Sequence, residues 1–266
     1  AEKMLQFPLL GDEIQNGWSF RVTREFDMTN DSSLFKTSQG NGNIQLLEGK
    51  MMWQFQSNLS VPRFWVNEKK GRAALLGRTP DKGQLLGYQK YRLAYRSIAS
   101  NTNERTLVCT IIPPSFTGNS LNMCDNLDEL TQLYCTGLFN SFVIDWFLRQ
   151  KVTTNINMFF IYQLPIPRLT DKDKTFIKIA KLVAKLVCTE PEFNELGKVA
   201  GLKSHKDGVT NSEERIKIRA ELDGIIAHLY EVSEDEFAHI LATFLIVPQN
   251  VKDATLDAYK KIASAT

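Results

Sequence analysis

Pro165-Ile166-Pro167-Arg168 is where the chain changes character, and the reading of the fold turns on it. Before this stretch, segments are short, rich in β-branched and aromatic residues, and broken by Gly, Asn and Pro. Trp18-Ser19-Phe20-Arg21-Val22 alternates apolar and polar positions as a half-buried strand does. Met51-Met52-Trp53-Gln54-Phe55 and Thr106-Leu107-Val108-Cys109-Thr110-Ile111-Ile112 also read as strands, the second buried on both faces. One helical pattern interrupts this half. Residues 128–150 place Leu130, Leu133, Leu138, Phe142, Val143 and Trp146 at helical spacing, with Asp128 and Glu129 at the start, Arg149 at the end and Lys151 just beyond. A single helix packed against a sheet is expected there.

After Arg168 the pattern is helical. Residues 171–187 carry Phe176, Ile177, Ile179, Ala180, Leu182, Val183, Leu186 and Val187, and stop before Pro191. Residues 212–230 carry Ile216, Ala220, Leu222, Ile225, Ile226 and Leu229. Ser233 with Glu236 forms a capping-box pattern ahead of Phe237, Ile240, Leu241 and Phe244, and residues 253–263 make a weaker last helix. The expected fold class is mixed α/β (α+β) over residues 1–168, followed by an all-helical subdomain over 169–266.

Charge is concentrated in the first half. The 266-residue chain is only +2 overall, yet residues 61–105 hold ten basic side chains against three acidic ones. The basic ones are Arg63, Lys69, Lys70, Arg72, Arg78, Lys82, Lys90, Arg92, Arg96 and Arg105; the acids are Glu68, Asp81 and Glu104. Phe64, Trp65, Tyr88, Tyr91 and Tyr95 are interleaved among them. Such a patch suits a polyanion, because each phosphate neutralised releases counterions. It equally describes a solvated surface of snorkelling Lys and Arg. Trp65, Tyr91 and Tyr95 read either as core or as stacking platforms. Up to Arg168 the chain has 18 basic and 14 acidic residues, and beyond it 14 and 16, so the helical half reads as support.

Several chemistries find no motif. Gln39-Gly40-Asn41-Gly42-Asn43 has a lone Gly-x-Gly without the third glycine of a dinucleotide loop, and reads as a turn. No Walker-type Gly-Lys-Ser/Thr and no Gly-x-Ser-x-Gly elbow occurs. Cys109, Cys124, Cys135 and Cys188 lack paired short spacing and lie far from His205, His228 and His239, so no structural zinc site is expected and the thiols read as reduced. His228 and His239 read as core-edge or surface residues. Pro113-Pro114-Ser115-Phe116 has the outline of the Asn/Asp-Pro-Pro-Tyr/Phe loop that holds a flipped base, but Ile112 stands where a side-chain oxygen is needed and Ser115 displaces the aromatic. Pro80-Asp81 lacks the following acid-x-Lys of a metal-dependent nuclease, with Glu68-Lys69-Lys70 lying upstream instead. No apolar run approaches the roughly 20 residues of a membrane-crossing helix. No signal peptide is evident and no initiator Met is present, so a cytoplasmic piece of a longer protein is expected.

Several blocks, in order, carry a family resemblance. They are Arg24-Glu25-Phe26-Asp27-Met28-Thr29-Asn30-Asp31-Ser32, Leu47-Glu48-Gly49-Lys50-Met51, Arg92-Leu93-Ala94-Tyr95-Arg96-Ser97-Ile98-Ala99 and Thr102-Asn103-Glu104-Arg105-Thr106 leading to Ile111-Ile112-Pro113-Pro114. Then come Asn140-Ser141-Phe142-Val143-Ile144-Asp145-Trp146-Phe147-Leu148-Arg149-Gln150-Lys151-Val152, Gln163-Leu164-Pro165-Ile166-Pro167-Arg168, and Glu221-Leu222-Asp223 ahead of Leu229-Tyr230 and Ser233-Glu234-Asp235-Glu236-Phe237. Over nearly its whole length the chain resembles the C-terminal part of adenine-specific DNA methyltransferases of restriction-modification systems. It is similar to type IIG enzymes and phage-defence methylases, whose specificity region is the TaqI-like C-terminal specificity domain.

The resemblance implies a target-recognition domain for double-stranded DNA. It implies a methyltransferase core in the same parent chain, N-terminal to this region, which holds S-adenosylmethionine and the Asn-Pro-Pro-Tyr loop. No cofactor is expected in this stretch, and no residue of it is assigned to catalysis. Whether the parent is a methyltransferase alone or also an endonuclease stays open. On this reading Lys69, Lys70, Arg72 and Lys90 hold phosphates, Arg63 is a further DNA-binding candidate, and Arg149 and Lys151 are further phosphate candidates. Arg92, Arg96 and Arg105 are candidates for bidentate contacts to guanine, and Asn101 or Asn103 for contacts to adenine. The alternative is a protein-interaction or scaffold module without DNA binding, docked through the helical half. Residues 101–106 read either as a loop meeting DNA or as a structural turn.

Overall fold

The computed structural model describes residues 2–15, 17–100 and 102–264. The chain runs through β1 (Val22–Thr23), β2 (Phe35–Lys36), β3 (Asn43–Leu47), β4 (Phe64–Asn67), α1 (Glu68–Leu76), β5 (Arg92–Arg96), β6 (Cys109–Ile112), β7 (Phe116–Thr117) and β8 (Leu121–Cys124). The helices follow: α2 (Glu129–Phe139), α3 (Phe142–Arg149), α4 (Met158–Tyr162), α5 (Lys174–Val187), α6 (Asn194–Val199), α7 (Ser212–Leu229), α8 (Glu234–Ala242) and α9 (Gln249–Ala263). The fold class is the mixed α/β one expected, with a helical second half. The strands form two sheets. The first is antiparallel with order β1-β8-β5-β6; the second has order β2-β4-β3-β7 and is antiparallel except where β3 runs parallel to β7.

Strand periodicity explains how two sheets feed three cores. In the first sheet Leu93, Tyr95, Cys109 and Ile111 join the large core that α2 covers. Their neighbours Ala94 and Ile112 face the other way, toward Leu47, Met51 and Met52. The second sheet has an aromatic core of its own, built from Phe26, Leu46, Val66, Tyr88 and Phe116. Tyr88 stacks on Phe116 with ring centroids 4.4 Å apart, and Phe26 meets the same ring edge-on at 5.3 Å.

α1 is fixed to that small core through its N-terminal half. The Asn67 side chain accepts the Lys70 N–H and so caps the helix. One turn later Gly71 lies directly on the aromatic core: a Cβ there would stand 2.6 Å from Phe116 Cζ and 3.0 Å from Val66 Cγ1. Both neighbours are fully buried. Gly71→Ala is therefore expected to cost stability, since overpacking of about 1–3 kcal/mol outweighs the roughly 1 kcal/mol gain in helix propensity. Thermal unfolding checks it; a raised melting temperature would show that the sheet gives way freely.

The large core continues across Arg168, taking in Leu138, Val183, Ile226 and Phe237. Gly137 lets α2 and α5 approach, for a Cβ there would meet Ile179 Cγ2 at 2.7 Å. The residues around Pro165 are fastened from both sides. Tyr230 Oη donates to Pro165 O at 2.7 Å and Tyr134 Oη to Pro167 O at 2.9 Å, while Arg168 donates to the Leu9 and Leu10 carbonyls at 2.8 Å.

Three local expectations need correction. Residues 128–150 form two helices, α2 and α3, because Asn140 and Ser141 take other partners. Ser141 caps α3, and the Asn140 side chain pairs with both the N–H and the carbonyl of Cys109 on edge strand β6. Residues 51–55 are not a strand: Phe55 adopts a positive φ of 61° and Trp53 closes a tight bridge with Gln56. Of residues 18–22 only Val22 enters a strand, because the Asn126 side chain takes up the Arg21 N–H and the Ser19 carbonyl. The capping box at Ser233 and Glu236 is present as expected.

Candidate nucleic-acid interface

The basic residues of 61–105 separate into an outward group and an inward group. Lys69 and Lys70 are exposed in the first turn of α1. Arg78 and Lys82 stand on the loop that follows, and Lys90 just before β5; all are exposed. Among the described residues the side chains of Lys69, Lys70, Arg78, Lys82 and Lys90 make no hydrogen bond or ion pair. Arg63, exposed beside β4, lies over the Phe64 ring at 4.3 Å and 3.6 Å from Glu48.

Arg72 organises this group from behind. Its guanidinium makes two 2.7 Å bonds to the Asp81 carboxylate, one of 2.8 Å to Gln84 O and one of 3.2 Å to the Gln89 side chain. These Arg72 bonds first, and the Gly83 N–H second, hold Asp81 down to about 2. The loop over residues 80–89 is thereby braced against α1. Arg72 is a buttress with its donors already used, and not a free phosphate ligand. Asp81, spent on Arg72, is no metal ligand, and among the described residues no cluster of three or more His, Cys, Asp or Glu could hold a metal ion.

The inward group corrects the base-reading assignments for Arg92 and Arg105, which are buried, and gives the half-buried Arg96 structural partners. Arg92 is 1% exposed, paired with Glu25 and donating to Ser115 O. The same Glu25 accepts from the Thr117 N–H at 2.8 Å and from its hydroxyl at 2.9 Å, so the pair links β5 of the first sheet to β7 of the second. Arg96 donates to Met52 O and lies over Trp53, and burial lowers its pKa. Arg105 is 2% exposed and stacks 3.4 Å from the centre of the Phe142 ring. Burial pulls it down to about 10. A guanidinium so enclosed has no path to a base edge.

A third grouping sits at the C-terminal end of α3. Arg149 bonds the buried Asp145 at 3.3 Å, lies over Phe244, and reaches the carbonyls of Asn103 and Glu104 at 3.5 Å. That leaves Asn103 and Lys151 exposed there, with Lys151 4.5 Å above Phe147. Asn101 lies outside the described residues. Residues 102–106 thus form a turn held by structural bonds, with the Thr106 N–H donating to Asp145 at 2.9 Å.

Among the aromatics, Tyr95 is buried, Tyr88 belongs to the small core and Tyr91 stacks on Phe193. Trp65 alone belongs to no core. Lys36 was missed by the reading of residues 61–105 because it lies upstream. The ladder places it directly opposite Trp65, while the period-2 pattern of Phe64, Trp65 and Val66 is the signal that marks the outward side.

Residues 112–116 do not fit a methyl donor or a flipped base. Ile112, Pro113, Ser115 and Phe116 are buried, the Ser115 hydroxyl donates to Pro113 O, and Phe116 fills the small core. The four cysteines are buried and free, and burial lifts Cys124 to about 11 and Cys188 to about 12, so neither is a thiolate at neutral pH. Among the described residues no helix is long and apolar enough to cross a membrane.

No family model matches this chain, and no curated protein matches its sequence. Among solved structures it is similar to the type IIL restriction-modification enzyme MmeI in complex with DNA, with a TM-score of 0.50 over 95% of this chain and 12% sequence identity. The chain spans 37% of the length of that enzyme. At this identity the likeness establishes a shared fold.

Proposed function

We propose that this chain recognises double-stranded DNA for a restriction-modification or phage-defence system, as the target-recognition part of a longer cytoplasmic protein. The observation that carries the reading is the set of unpaired cations on and after α1: Lys69, Lys70, Arg78, Lys82 and Lys90, with the loop braced by Arg72. A folded protein that is +2 overall and keeps five cations without partners in one region is equipped for a phosphate backbone. The fold shared with an enzyme whose structure was solved with DNA supports the same reading. So does the resemblance to the TaqI-like specificity region of adenine-specific type IIG methyltransferases. On that reading the methyl transfer to adenine, and the S-adenosylmethionine it uses, belong to a methyltransferase domain of the parent chain.

The test is a duplex-DNA titration by fluorescence anisotropy over a series of salt concentrations. Lys69→Glu combined with Lys70→Glu is expected to weaken binding to every duplex alike. Loss of two phosphate contacts should reduce the slope of log K against log salt by about 2. Identical affinity and slope for variant and parent chain would remove the assignment. A protein-docking reading has one observation of its own: Leu245 and Ile246, between α8 and α9, are 88% and 62% exposed. It gains if the chain binds no duplex at low salt.

A further inference from the structure

The outer face of the second sheet carries chemistry that phosphate binding does not need. The ladder sets Lys36 of β2 opposite Trp65 of β4, and Gln45 of β3 opposite Trp65 on its other side, giving one row across three strands. Asn43 and Asn67 form the next row, while Arg63, just before β4, lies over the Phe64 ring and 3.6 Å from Glu48. The opposite face is occupied. Phe35, Ile44, Leu46, Phe64 and Val66 belong to or pack on the aromatic core, and α1 lies on that inner side through Gly71.

Trp65 is the telling residue. A tryptophan is normally recruited to a core for its area, and when buried it finds an acceptor for its indole N–H. Trp65 is only partly buried, joins none of the three cores, and makes no hydrogen bond through Nε1 among the described residues. Its neighbours across the ladder are a cation, Lys36, and an amide, Gln45. Lys36 stands on this face without an ion pair among the described residues, and Lys69 and Lys70 follow Glu68 in the first turn of the helix that leaves β4. Charge complementarity thus selects a polyanion over a protein surface as the occupant.

Resting on the DNA-recognition reading above, we infer that this sheet face is the base-reading surface, with Trp65 and Gln45 meeting base edges in the major groove. Strands about 4.8 Å apart place β3 and β4, the central strands of the sheet, within a groove roughly 12 Å wide, with the two-residue β2 and β7 at its rims. The Gln45 amide can donate to adenine N7 and accept from its N6 amino group, and Lys36 suits guanine O6 and N7. The Trp65 ring offers apolar contact to a thymine methyl, and its N–H is a free donor.

The experiment is selection of bound duplexes from a random-sequence pool, followed by affinity measurements on the selected and the random DNA. Trp65→Ala and Gln45→Ala are each expected to flatten the preference at one or two positions. Each should lower the ratio of selected to random affinity by about 5- to 100-fold. Gln45→Glu is expected to change the preferred base, since a carboxylate accepts only and suits cytosine N4. Lys69→Glu with Lys70→Glu should lower both affinities together and leave the ratio standing. If that pair weakens binding while all three substitutions at Trp65 and Gln45 keep the parental preference, the sheet-face assignment falls and the DNA reading survives. If the parent chain binds no duplex, or binds without preference, both fall.

Discussion

Glu25→Ala is expected to lower the unfolding free energy by about 3–5 kcal/mol, the usual result of stripping one partner from a buried ion pair. Arg92 would stay in the interior with Ser115 O as its remaining acceptor, and its Nε already has none. Two more bonds go with the carboxylate, the N–H and hydroxyl of Thr117, so the two sheets lose their polar link as well. Replacing both charges at once, Glu25→Leu with Arg92→Met, should recover the part of the loss due to the unpaired guanidinium, but not the part due to Thr117 and Ser115 O left without partners. Urea denaturation measures both. A Glu25→Ala chain within about 1 kcal/mol of the parent would mean that the guanidinium finds water, contrary to its 1% exposure.

The second large effect concerns pH. Asp223 of α7 is buried beside Arg105, Arg219 and Asp145, and accepts the Phe142 N–H at 2.7 Å. Burial raises its pKa from 3.8 to about 6, against the opposing pull of Arg105. The folded chain therefore binds this proton more tightly than the unfolded chain does. The resulting stabilisation is complete below about pH 4 and is lost as pH rises through about 6. At roughly 1.4 kcal/mol per pKa unit it amounts to something on the order of 3 kcal/mol. Asp145, raised in the same direction by burial, adds the same sign. Asp81 and Glu236, both lowered to about 2, act oppositely, but only below about pH 4.5. Asp223→Asn keeps an acceptor for Phe142 and removes the titration, so the difference in stability between pH 4.5 and pH 7.5 should shrink. An unaltered pH profile in that variant would place the titration elsewhere.

Both effects come from residues the sequence presents as ordinary. The helical half was legible because periodicity over 14 to 18 residues and a capping box are local signals. Of the strand read over 106–112, the apolar run of β6 was legible, but it begins only at Cys109, the Thr106 N–H having gone to Asp145. What could not be read was the partner of each charge. Glu25 and Arg92 are 67 positions apart, and nothing in Arg92-Leu93-Ala94-Tyr95-Arg96 says which side of the strand will be covered. Arg105 looked like a loop cation because the Phe142 ring that receives it belongs to a helix 37 residues downstream. The split between α2 and α3 was hidden likewise, since Asn140 leaves the helical pattern to serve the backbone of Cys109. By contrast Lys69, Lys70 and Lys90 stand at the surface where their local sequence put them.

The aromatic core under the small sheet has one more consequence. Its five ring and aliphatic residues and the Gly71 contact lie behind the strands, so Lys36, Gln45 and Trp65 are not what holds the platform together. Exchanges at Lys36, Gln45 or Trp65 should then fall within the roughly 0.5 kcal/mol typical of surface substitutions. If this face reads bases as proposed, selectivity is free to drift during evolution, one side chain at a time, on a platform whose folding takes no part in the change.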